Sequence, residues 1–236
     1  MKPLSRILFW AAIVICQAAA FKLNGQNPPT PPKYKVDGNF SDWANFETGW
    51  KETGVDWSKV REEPSFEGID LKEFYYDNDD AYLYLFFKCV PTVQQRYEKQ
   101  HAAGDLGYLY IDSDMNTNTG STDRGHGFAG FVGSDFEIYL PLGVYHRFSP
   151  TNGEQSGCYV CYELKRWDPS SKSFGQEVRK EESVTASPLI AHGNDGVELA
   201  LPLSDLGLKK GNKLSFVCWE GGAPQSRINK ITIHLK

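Results

Sequence analysis

The segment from Tyr108 to Gly120 carries the residue pattern that points most clearly to chemistry. After the strand-like run Tyr-Leu-Tyr-Ile, oxygen-bearing side chains recur at every second position, at Asp112, Asp114, Asn116 and Asn118. Alternating carboxylates and amides can surround a hard cation that takes six to eight oxygen ligands, which is the chemistry of calcium. Gly120 permits the sharp turn that such a loop needs. The pattern therefore predicts a structural calcium site.

The predicted loop needs a further ligand from elsewhere in the chain. Its spacing is like the first half of an EF-hand loop, but the closing bidentate glutamate and the flanking helices are missing. Asp135 opens the run Asp-Phe-Glu-Ile-Tyr, and we predict that it completes the site. The alternative is an Asx-rich turn in which these side chains bond only their own backbone.

The elements that must position this loop read as short strands between Gly, Asn, Asp and Pro clusters. In residues 82–87 apolar side chains fall on both faces, which is typical of a central strand, and Asp77–Asp80 is a hairpin turn. Helical patterns are confined to Thr92–Ala103 and Ser204–Leu206. We predict an all-β fold, a two-sheet antiparallel β-sandwich (immunoglobulin-like or jelly-roll-like) with one short helix. The predicted strands are Leu71–Tyr76, Ala81–Val90, Gly107–Asp112, Asp135–Pro141, Tyr159–Trp167, Gly196–Pro202, Leu214–Glu220 and Lys230–Leu235.

The amino-terminal residues predict export. Residues 1–20 combine the basic Lys2 and Arg6, an apolar run too short to span a bilayer, and small residues that end at Ala20. This is typical of a cleaved signal peptide, and acylation at Cys16 is disfavoured because the bulky Ile15 precedes it. A Pro-rich linker over 21–33 and a single domain over 34–236 follow. We expect a secreted or periplasmic product with no membrane association after cleavage.

Charge and cysteine content narrow the partners further. Removal of Lys2 and Arg6 lowers the 25 lysines and arginines to 23, against 30 aspartates and glutamates, so the net charge becomes −7. Such a surface repels phosphate backbones and makes nucleic acid an unfavourable partner. In an exported chain four cysteines predict two disulfides with three possible pairings, and residues three apart on a strand disfavour a local C-x-x-C bridge. Those cysteines are Cys89, Cys158, Cys161 and Cys218.

Several motifs in order along the domain resemble family 9 carbohydrate-binding modules and the wider group of DOMON-like sandwiches. They are the opening Val-Asp-Gly-Asn-Phe-Ser-Asp-Trp at 36–43, Phe-Tyr-Tyr-Asp-Asn-Asp-Asp-Ala-Tyr-Leu-Tyr at 74–84, Tyr-Ile-Asp at 110–112 with Thr119 and Gly120, and Val-Glu-Leu-Ala-Leu-Pro-Leu at 197–203 with Leu-Gly-Leu at 206–208. The resemblance implies a noncatalytic β-sandwich with structural calcium, associated with polysaccharide binding or breakdown. It implies a polysaccharide or oligosaccharide partner.

Aromatic side chains would carry sugar binding, because C–H faces of a pyranose pack on ring faces. The resemblance places two such aromatics in segments 100–105 and 222–226, but neither segment contains Phe, Trp or Tyr here. We expect other aromatics to substitute, in exposed loops or at a strand end where aromatic residues mark binding surfaces. The candidates are Trp50, Trp57, Tyr97 and Trp167, whereas Trp43 and Trp219 are expected in the core.

Three other functions stay open at this stage. An accessory or surface domain of the same fold could bind another protein. Haem binding, known among DOMON-like sandwiches, needs axial ligands, and the available Met115 and scattered histidines offer no clear pair. Catalysis by a carboxylate pair such as Glu137 and Glu163 lacks a supporting spacing, so we expect no enzyme activity, although the chain could assist a neighbouring glycoside hydrolase.

Overall fold

The computed structural model of the chain describes residues 34–45, 47–51, 70–90, 93–100, 104–122, 132–151, 153–185, 187–194, 196–219 and 227–236. Residues Pro32–Lys236 form one compact unit. In chain order the strands are β1 (Glu47–Lys51), β2 (Asp70–Asn78), β3 (Tyr82–Val90), β4 (Gly104–Asp112), β5 (Phe136–Ser149), β6 (Gly153–Asp168), β7 (Ser173–Glu182), β8 (Ile190–His192), β9 (Gly196–Pro202), β10 (Lys213–Trp219) and β11 (Arg227–His234). The predicted signal peptide and the linker lie outside the described residues.

The strands form two antiparallel sheets. One sheet has the order β1-β2-β3-β9-β8, and the other has the order β11-β10-β4-β5-β6-β7. The apolar face of each sheet packs on the other, and Phe74 of β2 stacks on Phe216 of β10 with 4.9 Å between ring centroids. Each such ring stabilises the fold by about 2 kcal/mol through removal of its surface from water. The predicted all-β sandwich is therefore confirmed.

Strand β3 is central, as its sequence predicts. All its residues from Tyr82 to Phe87 are buried, and it lies between β2 and β9. The predicted hairpin turn joins β2 to β3, where Asp79 Oδ1 accepts hydrogen bonds from the backbone N–H groups of Ala81 and Tyr82, both at 2.8 Å. Such Asx bonds satisfy turn amides that the strand ladder cannot reach.

The helical content is small. Helix α1 (Val93–Gln100) lies within the predicted segment Thr92–Ala103, whose other residues are outside the described ranges, and 3-10 helices occupy Phe40–Asn45 and Ser183–Thr185. Ser204–Leu206 forms turns, with a bond from Gly207 N to Ser204 O at 3.2 Å, so the predicted short helix there is wrong. None of the helices in the described ranges has the length and apolar character that crossing a bilayer requires.

One buried carboxylate of strand β9 accepts hydrogen bonds from residues 37–43, which precede β1. Glu198 is fully buried, and its Oε1 accepts hydrogen bonds from the backbone N–H groups of Asp37 and Gly38, both at 2.6 Å. Its Oε2 accepts a bond from Trp43 Nε1 at 2.8 Å. Trp43 is buried, as predicted. The motif at 36–43 therefore supplies three donors for this carboxylate.

Candidate ligand-binding pocket and carboxylate cluster

The loop after β4 is shaped by side-chain bonds to its own backbone. Asn116 N donates to Asp114 Oδ1 at 2.8 Å and lies 3.2 Å from Asp112 Oδ1. Asn118 N donates to Asn116 Oδ1 at 3.1 Å, and the Thr119 hydroxyl contacts the Asp114 carboxylate at 2.9 Å. These are the Asx-type bonds expected for alternating Asp and Asn residues. They fix the loop with its carboxylates at defined positions.

Gly120 allows this loop to lie against the segment before β5. Ser121 N donates to Ser134 O, and Gly133 N donates to Ser121 O, each at 2.7 Å. Gly120 has a φ of +66°, and a Cβ there would lie 2.5 Å from Ser134 O. Only glycine fits such a close approach in the left-handed region. The closure brings Asp135 next to the loop, where its N–H donates to Ile111 O at 2.8 Å.

Asp112, Asp114 and Asp135 form a cluster in which one oxygen of each lies within 4.8 Å of the others. Asp112 is buried, Asp114 is exposed and Asp135 is half-buried. Asp112 Oδ2 accepts no hydrogen bond from any described residue. Lys230 Nζ approaches this oxygen to 3.5 Å, which is a charge contact rather than a hydrogen bond. The cluster thus contains a buried carboxylate oxygen whose lone pairs accept no hydrogen bond from the described residues.

Asp135 is held in place by Ser113. Both the N–H and the hydroxyl of Ser113 donate to Asp135 Oδ2, at 2.9 and 2.8 Å. Burial raises the pKa of Asp135, the bonds from Ser113 oppose the rise, and the charges of Asp114 and Asp112 add to it. Repulsion of this kind is what a bound cation would relieve.

The donor set fits calcium. Calcium–oxygen distances are about 2.3–2.6 Å, so oxygens on opposite sides of one ion lie about 5 Å apart, close to the span of the cluster. The carboxylates of Asp112, Asp114 and Asp135 would hold the ion and would leave coordination positions for other oxygens. The predicted ligands Asn116 and Asn118 are exposed, and the Asn116 side-chain oxygen already accepts a backbone bond.

A pocket of about 590 Å³ opens beside this cluster. Its volume falls in the range of roughly 300–1,000 Å³ that is typical of small-molecule sites. One wall is formed by the loop after β4 and Asp135, and another by the turn between β6 and β7. The lining residues include Asp114, Asn118, Thr119, Asp135, Phe136, Arg166, Trp167, Pro169 and Lys172.

Trp167 is the aromatic residue that links the two walls. It is half-buried at the end of β6, and its backbone N–H donates to the backbone oxygen of Asp135 at 2.8 Å. Its ring packs edge-to-face on Phe174 of β7, with 5.1 Å between centroids. The ring is therefore fixed in orientation before any ligand binds.

The protein-family models, the curated proteins and the solved structures compared with this chain give no match to it. Kinship with family 9 modules remains a prediction from the motifs. The geometry of the pocket and the cluster therefore supplies the structural support for a function.

The side chains of the other predicted sugar-binding aromatics are outside the described part of the structure, and their role in sugar binding stays a prediction. Trp50 lies in β1 and not in the predicted loop, because residues 47–51 pair with β2. The Trp50 side chain lies outside the described residues, as do Trp57 and the side chain of Tyr97 in α1. Of the four candidates, the structure brings Trp167 to the pocket.

Arg166 and Lys172 line the pocket but were not among the candidates from sequence. Both are exposed, and the Arg166 guanidinium lies 5.2 Å from the ring centroid of Phe136. Cations are common on sheet surfaces, and the sequence gives no sign that these two share a pocket. The run Arg-Trp-Asp-Pro at a predicted strand end was the available signal.

The cysteines differ from the prediction of two disulfides. Cys158 and Cys161 are buried free thiols, so two bridges among the four cysteines do not form in this structure. Cys158 belongs to the core between the sheets, whereas Cys161 does not, as expected for residues three apart on a strand. Burial raises the pKa of Cys161 to about 11.

Glu163 is engaged in ion pairs on the face of its sheet. Its carboxylate lies 3.2 Å from Lys165 Nζ and 3.1 Å from Lys180 Nζ. Glu163 belongs to β6, and Glu137 lies on the neighbouring β5. The ion pairs are the ordinary arrangement of charged residues on neighbouring strands.

Proposed function

We propose that this chain is a noncatalytic carbohydrate-binding module with a structural calcium ion, exported and associated with polysaccharide binding or breakdown. The observation that carries the proposal is the position of Trp167, which lines a pocket together with two carboxylates of the acidic cluster. An aromatic ring beside several hydrogen-bonding side chains is the arrangement that a sugar ring needs.

The pocket offers a sugar two kinds of contact. The C–H face of a pyranose ring can pack on Trp167, which loses little conformational freedom because Phe174 already restrains it. Edge hydroxyls can meet the side chains of Asn118 and Thr119 on the opposite wall. Calcium on the cluster would hold the loop, and hence these polar groups, at a fixed distance from the tryptophan.

The direct test is a polysaccharide pull-down and glycan-array screen of the full chain, followed by calorimetry on the tightest ligand. Trp167→Ala should weaken binding about tenfold or more, as is usual for a tryptophan at the centre of a binding site. A chelator should also weaken binding, because it removes the ion that orders the polar wall.

The matched control is Tyr145→Ala. Tyr145 is a half-buried aromatic on β5, nine residues and roughly 30 Å along the strand from Phe136. Its removal should leave sugar affinity unchanged. Equal affinity of Trp167→Ala and the wild-type chain, with both folded by circular dichroism, would place the site elsewhere and refute this proposal.

A further inference from the structure

Arg166 and Lys172 stand out among the cations of β6, β7 and the turn between them. Lys165 pairs with Glu163, Arg179 pairs with Asp205 and Glu181, and Lys180 pairs with Glu163. Within the described part of the chain, neither Arg166 nor Lys172 lies within ion-pair distance of a carboxylate. Both cations line the pocket that contains Trp167.

The acidic residues of the same pocket are already occupied. Asp135 accepts two bonds from Ser113, and Asp114 accepts bonds from Asn116 and Thr119. Both also belong to the carboxylate cluster that fits a cation. With a cation bound to the cluster, the charges of Asp114 and Asp135 are balanced, and the charge that remains for a ligand in this pocket is positive, although the chain as a whole has a net charge of −5.

Lys172 also has an unusual backbone. It is one of two non-glycine residues with positive φ in the described structure, at +54°. A lysine in this left-handed region is strained relative to glycine, so the fold alone would be better served by glycine in this turn. Lys172 thus lines the pocket although glycine would suit the backbone conformation at this position better.

From this arrangement we infer that the pocket selects an acidic sugar, a uronic acid residue of a polysaccharide, whose carboxylate binds Arg166 and Lys172 while its ring stacks on Trp167. A guanidinium matches a carboxylate in a bidentate geometry, and a lysine ammonium adds a second charge-assisted bond. The inference rests on the proposed function and names the class of sugar that the same site takes.

The test compares a galacturonic acid trimer with its methyl ester by titration calorimetry in calcium-containing buffer, using the full chain. The two trimers share their rings and linkages and differ in the carboxylate charge. Wild-type protein should bind the acid about a hundredfold more tightly than the ester, since each of the two charge-assisted contacts contributes about a tenfold factor. Raising the salt concentration to 1 M should reduce this preference, because such contacts are screened near the surface.

Two variants assign the preference to its residues. Arg166→Gln should weaken binding of the acid about tenfold and leave binding of the ester within twofold of wild type. Lys172→Gly should weaken binding of the acid in the same way and yet raise the melting temperature, because glycine relieves the positive φ. The matched control is Lys209→Gln, an exposed lysine outside the pocket, which should change neither affinity.

The outcomes separate this inference from the proposal on which it rests. Equal or tighter binding of the ester, or acid binding that survives in both pocket variants, would overturn the choice of an acidic sugar and leave carbohydrate binding intact. Absence of binding of both trimers and of every polysaccharide in the pull-down would overturn both.

Discussion

At the scale of single residues, Asp112 is the most deeply buried member of the carboxylate cluster. It ends β4, is 3% exposed, and has one oxygen that accepts no hydrogen bond from a described residue. A buried carboxylate in this condition is unfavourable unless a positive charge lies close to it. Lys230 at 3.5 Å supplies part of that charge. A calcium ion would supply the rest.

Substitution of Asp112 by asparagine should therefore separate cation binding from folding. Asparagine keeps an oxygen that can accept the Asn116 N–H, and it removes the buried charge. We expect calcium affinity to fall about tenfold or more, since affinity depends on the number of charged ligands. In EDTA the free energy of unfolding should stay within about 1 kcal/mol of wild type or rise. Calorimetry with calcium and chemical denaturation in EDTA measure the two quantities.

Asp80→Asn provides the control for this substitution. Asp80 is an exposed aspartate in the turn between β2 and β3, with 85% of its side chain accessible and a distant contact to Lys210. Its loss should leave calcium binding unchanged. If the Asp112 variant bound calcium as tightly as wild type, the cluster would not be the cation site and the Asx-turn interpretation of the loop would stand.

At the scale of elements, the shape of the loop after β4 depends on how closely it approaches the segment before β5. The contact between Gly120 and Ser134 leaves no space for a side chain. Gly120→Ala should push the loop after β4 away from the segment before β5 and displace Asp135 from Asp112. We expect a loss of about 1–2 kcal/mol from the positive φ and a further loss of about 1–3 kcal/mol from the clash.

Gly207→Ala isolates the first of these two effects. Gly207 has a φ of +67°, nearly equal to that of Gly120, but a Cβ there would meet nothing within 4 Å. Denaturant unfolding should show a smaller loss for this variant, and calcium affinity should fall only in Gly120→Ala. Equal losses in the two variants would mean that the close approach to Ser134 carries no energetic weight.

Elements with a strong apolar pattern could be predicted from the sequence, and elements without one could not. Strand β3 was predicted because its residues are apolar on both faces. Strand β7 was missed because its sequence, Ser-Phe-Gly-Gln-Glu-Val-Arg-Lys-Glu-Glu, is mostly polar and has no fully buried residue. It forms through the backbone ladder to β6 and through cross-strand pairs such as Lys180 with Glu163. Such tertiary pairing leaves little trace in local periodicity.

Dependence on tertiary contacts also explains why the end of another strand and two residues of the pocket were not predicted from the sequence. Strand β5 was predicted to end at Pro141, yet it continues to Ser149, because a bulge at Asp105 and Gly107 accommodates the proline. The acidic loop, Asp135 and Trp167 could be chosen by residue type and spacing. Arg166 and Lys172 could not be assigned to the site, because their position depends on where the β6–β7 turn lies relative to the loop.

At the scale of the whole molecule, Glu198 connects parts of the chain that are far apart in sequence. It lies in β9, and the three groups that donate to it belong to the segment before β1. An isosteric Glu198→Gln change can keep the acceptor for Asp37 and Gly38, but it places an amide N–H₂ against Trp43 Nε1–H. Two opposed donors in a buried site should lower the free energy of unfolding by about 1–3 kcal/mol. Glu198→Gln combined with Trp43→Phe should recover the part of the loss that is due to opposed donors.

The pH dependence of the stability difference between wild type and Glu198→Gln is an independent test of the hydrogen bonds to Glu198. Burial raises the pKa of Glu198 above its usual value, and the bonds from Trp43, Gly38 and Asp37 oppose the rise without cancelling it. A carboxyl group whose pKa is higher in the folded than in the unfolded state contributes most to stability below its unfolded pKa, and that contribution is lost as the pH rises through the folded value. Glutamine does not titrate. The stability of wild type relative to Glu198→Gln should therefore increase as the pH falls from 8 towards 4.5, by about 1.4 kcal/mol for each unit by which the pKa is raised. Denaturant unfolding of both proteins across this range measures the slope, in which the contributions of other groups cancel. A difference that shrinks as the pH falls would mean that the three donors outweigh burial and that the carboxylate is bound more tightly in its charged form.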